Sequence, residues 1–193
     1  MDNITKSPNE KFPIYFGFST DLIIGESISS KTITCVNAAT GVDSSAEIVD
    51  SSAIVSPDVK VVLKAGTNDD EHSIQCVVVT SNGNTYQRDC VLFIRSVVDD
   101  SFTKQPDDAF LFDVDFTRRL EAGDAVASVA IAAIKESDGS AASVTSTPVA
   151  ISPKVGVPVY GGTDGETYRL GVQGTTTAGY VYEKFVRMSV QEF

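Results

Sequence analysis

The chain has 193 residues, 42% of them hydrophobic and 21% charged, the balance of a well-cored globular protein rather than a disordered one. Fifteen Lys and Arg against 26 Asp and Glu give a net charge of −11. Such a surface repels phosphate, so neither nucleic acid nor an anionic membrane is expected as a partner. One histidine, three cysteines and no tryptophan leave little equipment for catalysis or metal binding, and neither an enzyme nor a cofactor is expected.

Residues 1–11, MDNITKSPNEK, are polar and lack the apolar core of a secretory signal; they read as a flexible N-terminal arm, with an arm that orders against a neighbouring subunit as the alternative. No stretch reaches the ~18 apolar residues of a membrane span. Residues 12–97 form a first domain, 98–108 a short acidic linker around Pro106, and 109–193 a second domain. In the first domain strands are expected at 27–37, 46–54, 59–64, 73–79 and 88–95, because apolar and polar residues alternate with period two. Over 73–79 the inward set is Ile74, Cys76 and Val78; over 88–95 it is Cys90, Leu92 and Ile94. Between these strands Asn82-Gly83 marks a tight hairpin turn. The stretch GDAVASVAIAAIKE (123–136) is Ala-rich and helix-like. Its counterpart in the first half, GESISSKTITCVNA, is β-branched and alternating, so both are read as strands.

That counterpart exists because the chain is written twice. FSTDLIIGESISS (18–30) aligns with FTRRLEAGDAVAS (116–128) at an offset of 98, and VSPDVKVVLKAGT (55–67) with ISPKVGVPVYGGT (151–163) at an offset of 96. The second offset continues to the C-terminus, with nine identities in 43 positions where typical residue usage gives about three by chance. Two residues are therefore lost somewhere in the stretch 36–54. Halves of this size, rich in short strands and turn residues, predict an all-β protein of two tandem Ig-like β-sandwiches. Cys35 and Cys76 lie near the places of an Ig disulfide, but Ala133 and Val172 replace them in the second copy. Buried free thiols in a protein made in a reducing cytoplasm are the expectation.

The motifs that carry chemistry are few. His72 follows the acidic turn Asn68-Asp69-Asp70-Glu71, with no nucleophile motif near it in sequence, and reads as a strand-start residue without a catalytic role. The acidic groups Asp69-Asp70-Glu71, Asp99-Asp100, Asp107-Asp108 and Asp113/Asp115 read as solvated loops; calcium held between domains is the alternative. Gly161-Gly162-Thr163-Asp164-Gly165 precedes a strand and is a turn, not a phosphate loop. Tyrosine is enriched at interfaces. Tyr160, Tyr168 and Tyr180 have no tyrosine counterpart in the first copy and mark the second domain as the candidate interaction surface; ordinary half-buried tyrosines are the alternative.

The second copy resembles a family of small bacteriophage virion proteins, the fiber-tail adaptors. The residues that carry the likeness are Lys104, Pro106, Asp107 and Ala109 at the start, then Phe112, Phe116, Leu120, Gly123 and Asp124. Gly161, Gly162, Thr163, Gly165, Thr167 and Tyr168 follow, with Thr176, Thr177 and Gly179 in a closing hairpin. The resemblance implies a non-enzymatic structural protein of a tailed phage virion, assembled in the host cytoplasm, that attaches fibers or neighbouring proteins at the neck or tail. Its implied partners are other virion proteins (fiber, tail, portal/neck or capsid) in a symmetric multi-copy assembly. A capsid-decorating protein, or an adhesion module for host surface carbohydrate, is the alternative.

Overall fold

The structure is a computed structural model and describes residues 2–193. It divides into two compact units, the first ending at Ser96 and the second spanning Val97–Phe193. In the first unit the strands are β1 (Asp2–Lys6), β2 (Phe12–Gly17) and β3 (Ile28–Asn37). A single helical turn α1 (Ser45–Ile48) follows, then β4 (Val49–Val55), β5 (Asp58–Leu63), β6 (Glu71–Thr80) and β7 (Thr85–Ile94). The second unit holds β8 (Val98–Lys104), β9 (Phe110–Asp115), β10 (Val126–Lys135) and β11 (Val149–Ile151). It closes with β12 (Lys154–Val159), β13 (Thr167–Thr176) and β14 (Val181–Val190).

Each unit is a sandwich of a four-stranded and a three-stranded sheet. The orders are β1-β7-β6-β3 with β2-β5-β4, and β8-β14-β13-β10 with β9-β12-β11. Adding seven to each strand number of the first unit gives the second, so the sequence repeat is a repeat of topology. Seven strands in this Greek-key arrangement, with consecutive strands crossing between sheets and the last two joined by a hairpin, are those of an Ig-like domain. Even the irregularities recur. A bulge interrupts β3 between Ile28 and Ser30, and β10 between Val126 and Ser128. Both β4–β5 and β11–β12 turns contain a cis Ser-Pro bond, Ser56-Pro57 and Ser152-Pro153.

The expected alternation produces the core. Ile74, Cys76 and Val78 on β6 share the inner face of their sheet with Cys90, Leu92 and Ile94 on β7, all buried, and meet Phe16, Val59, Val61 and Leu63 from the other sheet and Phe18 just after β2. Leu170 and Val172 on β13, with Val186, Met188 and Val190 on β14, do the same in the second unit. Each such side chain contributes roughly 1.5–3 kcal/mol on burial. Gly66 and Gly162 sit at positive φ, 107° and 99°, directly over this core. A Cβ added there would lie 2.0 Å from Ile94 and 2.7 Å from Val190.

Four sequence expectations need correction. Residues 2–6 are not a free arm: β1 pairs in parallel with β7, Ile4 beside Leu92. Most of the expected linker is β8, pairing in parallel with β14 through Phe102 and Met188. The strand expected from residue 46 begins only at Val49, because 45–48 make the turn α1. Cys35 and Cys76 occupy neighbouring strands of one sheet, with Cys35 opposite Ile74 and Cys76 opposite Ile33, not facing positions across the sandwich. All three thiols are free and buried.

Candidate interaction surfaces

The motif residues that looked like scattered turn chemistry converge on the two ends of each sandwich. At one end a lysine closes the first strand. Lys6 is fully buried, and its Nζ donates to the carbonyls of Ser7 (2.7 Å), Pro8 (3.4 Å) and Ala65. Lys104 repeats this with the carbonyls of Gln105 (2.5 Å) and Pro106 (3.2 Å). An acid four residues on accepts the next backbone N–H: Ser7 donates to Glu10 and Gln105 to Asp108, both at 2.8 Å. At the same end of the second unit, Thr163 N–H donates to the Tyr168 hydroxyl at 3.0 Å, the geometry of a tyrosine corner.

At the opposite end an acid ties the loop after β2 or β9 to the final hairpin. Glu26 accepts from Thr80 Oγ1, from Asn84 at 2.9 Å and from Ile23 N–H at 3.1 Å. The Thr80 hydroxyl, followed by Ile23 N–H, holds the Glu26 carboxyl below its ordinary range. Asp124 stands in the same place, accepting from Thr177 Oγ1 (2.6 Å), Ala125 N–H (2.9 Å) and Ala178 N–H (3.1 Å). Burial alone would raise its carboxyl; hydrogen bonds led by those of Thr176 and Thr177 leave it lowered.

The three candidate tyrosines do not form one surface. Tyr168 is buried (4% exposed) and is the corner residue just described. Tyr160 is exposed and donates to Thr145 O at 3.1 Å. Tyr180 lies half-buried in the β13–β14 turn, a whole ten-residue strand away from Tyr168, roughly 30 Å at strand rise.

Burial alone reveals apolar surface that the sequence reading missed. On the outer face of the β9-β12-β11 sheet, Leu111, Val149 and Ile151 are about half exposed, with Pro158 opposite Leu111 and Lys154 paired to Asp113 at 3.7 Å along the rim. In the first unit Ile23 and Ile24 protrude from the β2–β3 loop, Ile24 fully exposed. The aligned copies carried this signal: Ile23-Ile24 stands against Glu121-Ala122 in the second copy. The first unit also has a cleft of about 140 Å³ lined by Ile4, Ile14 and Cys90 among others. At the places of Ile4 and Ile14 the second unit has Phe102 and Phe112, stacked with ring centroids 4.4 Å apart.

His72 has a hydroxyl beside it after all. Ser44 Oγ lies 2.9 Å from Nδ1 and Asp70 Oδ2 lies 4.0 Å from Nε2. Ser44 and His72 are 8% and 1% exposed, so a substrate has no approach to the hydroxyl. The Ser44–His72 hydrogen bond instead pins residue 44 to the start of β6. Burial pushes the imidazole below its ordinary pKa, against the smaller opposing pull of Asp70. Burial likewise raises the Cys76 thiol to about 11, which keeps it protonated and unreactive. Among the described residues no group of three or more His, Cys, Asp or Glu could hold a metal ion. The acidic pairs are engaged separately: Asp99 accepts Phe185 N–H at 2.9 Å, and Asp115 accepts Thr117 N–H at 2.7 Å.

Fold and surfaces together define a tandem Ig-like β-sandwich protein whose motif residues build its loop ends. The chain matches the family described as podophage GP4 fiber-tail adaptor protein gp77 over residues 6–93 and again over 104–189. It belongs to this family of phage structural adaptors, carrying the family unit twice. No curated protein matches it. Solved structures similar to it include a chimeric titin Z1Z2 functionalized with a decorin peptide (9% identity, 100% of this chain and 94% of that one, TM-score 0.35). Another is the N-terminal Ig1-2 module of the Drosophila receptor protein tyrosine phosphatase DLAR (10% identity, 99% and 95%, TM-score 0.32). The Ig-like assignment rests on strand order and register, not on these scores.

Proposed function

We propose that the chain is a non-enzymatic structural adaptor of a tailed phage virion that attaches fibers or neighbouring proteins at the neck or tail. The observation that carries this reading is the family match over both units, whose shared motif residues build loop ends rather than a reactive centre. In this reading the partners are other virion proteins met by exposed apolar patches such as Leu111, Val149 and Ile151 and the Ile23-Ile24 tip. The chain works in many symmetric copies, needs no cofactor, and binds neither nucleic acid nor membrane. The net charge of −11 supports the last point. The test is reconstitution of the purified full chain with the tail, neck, fiber and capsid proteins of its phage. A stable complex bridging a tail or neck protein and a fiber protein is expected. Binding to the capsid surface alone, or to glycans by the monomeric chain, overturns the reading.

A further inference from the structure

The two units differ most tellingly along one sheet edge. In the first unit β3 is an edge strand that is blunted in three ways. Lys31 places a charge in its middle and bonds Ser52. The chain returning after it pairs back onto its end, with Ser44 N–H donating to Cys35 O at 2.8 Å. Ser45, the first residue of α1, accepts the Cys35 N–H at 2.9 Å. Such devices are how proteins prevent strand addition at an open edge.

The equivalent strand β10 keeps only the second of them. Ala142 N–H donates to Ala133 O at 2.9 Å and Lys135 N–H to Ser140 O at 2.8 Å. Equivalent hydrogen bonds, Lys64 to Ile48 and Tyr160 to Val144, place the two-residue loss of the second copy within α1 itself. The helical turn is thus absent there, and Ser143 stands exposed. From Val126 to Ile134 there is no charged residue, in a chain whose net charge of −11 opposes most self-contact. Because Ala133 and Lys135 aim their backbone groups away from β13, alternate residues Ile131 and Val129 do the same. Their N–H and C=O groups form an open, uncharged edge, and Ala127, Ala130 and Ala132 beside them are exposed and small.

We infer that β10 pairs with the β10 of a second copy of this chain, antiparallel about a two-fold axis through Ala130. Val129 then exchanges hydrogen bonds with Ile131 of the other copy and Ile131 with its Val129, joining two four-stranded sheets edge to edge. Ala130 faces Ala130 across the axis at the close spacing of a non-hydrogen-bonded pair, where only a small side chain is comfortable. An isologous contact of this kind is self-complementary and closes on itself. The inference stands on the two edges and goes beyond the adaptor reading; either can fail without the other.

The test uses the full chain and its oligomeric state by sedimentation. Wild type is expected to form a concentration-dependent dimer. Ala130→Lys sets two like charges directly opposite and should weaken it about 100-fold, whereas Thr32→Lys at the same place on β3 should leave it unchanged. Ala130→Cys should cross-link to a dimer on mild oxidation, and Thr32→Cys should not; the native cysteines are buried. A wild type that stays monomeric overturns the inference, as does a dimer that neither responds to Ala130→Lys nor cross-links through Ala130→Cys.

Discussion

His72 and Tyr168 occupy the same place in the two copies and solve it differently. The tyrosine turns its hydroxyl to Thr163 N–H; the histidine takes Ser44 as partner on Nδ1 and leaves Nε2 without one. Since burial lowers the folded-state pKa of His72, the unfolded chain takes up a proton more readily. The first unit therefore keeps its full stability above the ordinary histidine pKa of about 6.5 and loses it as pH falls below that value. The double exchange His72→Tyr with Ser44→Ala installs the pair found in the second unit. It should flatten the fall in melting temperature between pH 7 and pH 5, measured by calorimetry, while the drop below about pH 4.5 that belongs to the carboxylates remains. Asp124 gives a second residue-scale expectation. Asp124→Ala removes the acceptor that joins the β9–β10 loop to the β13–β14 hairpin, and should cost the second unit about 2 kcal/mol in denaturant unfolding. Amide exchange should quicken at Ala125 and Ala178 rather than in the core strands.

Strands were legible where both sides of the pattern were written. β6, β7, β13 and β14 alternate cleanly, and comparison of the copies identified β10 as a strand despite its alanines. β1 and β8 were illegible because a parallel edge strand is held mainly by backbone pairing. DNITK and VDDSFTK each contribute essentially one inward apolar residue, Ile4 and Phe102, so composition resembled an arm and a linker. The buried lysines that end them were equally hidden, since nothing in a polar run announces that an ammonium will be enclosed by carbonyls. The tyrosines misled for a related reason: ring chemistry suits a corner as well as an interface, and only the fold separates Tyr168 from Tyr160. The status of β1 has a direct test. Deleting residues 1–6 should lower the melting temperature of the first unit by roughly 10 °C, equivalent to about 2–3 kcal/mol. Removal of a free arm would leave it unchanged.

Across the whole molecule, duplication preserved the loop ends and released the faces. The lysine at the end of the first strand, the acid that clasps the hairpin and the glycine over the core are present in both units. The loop tips have drifted apart, with Ile23-Ile24 standing against Glu121-Ala122. Two scaffolds with different surfaces fit the proposed role of joining unlike neighbours.

The parallel pairing of β1 with β7, and of β8 with β14, has a mechanical consequence. Each unit is entered through one of these strands and left through the other. Tension along the chain therefore slides the two past each other and loads their hydrogen bonds together, in shear, instead of peeling them one at a time. In single-molecule pulling from the chain ends, each unit should give way in one abrupt step. The required force should exceed that needed when the handle is attached at the β6–β7 hairpin near Asn82, which unzips β7 from β6. In the proposed adaptor role, strain on a fiber would pass through these strands, and strands arranged this way resist it.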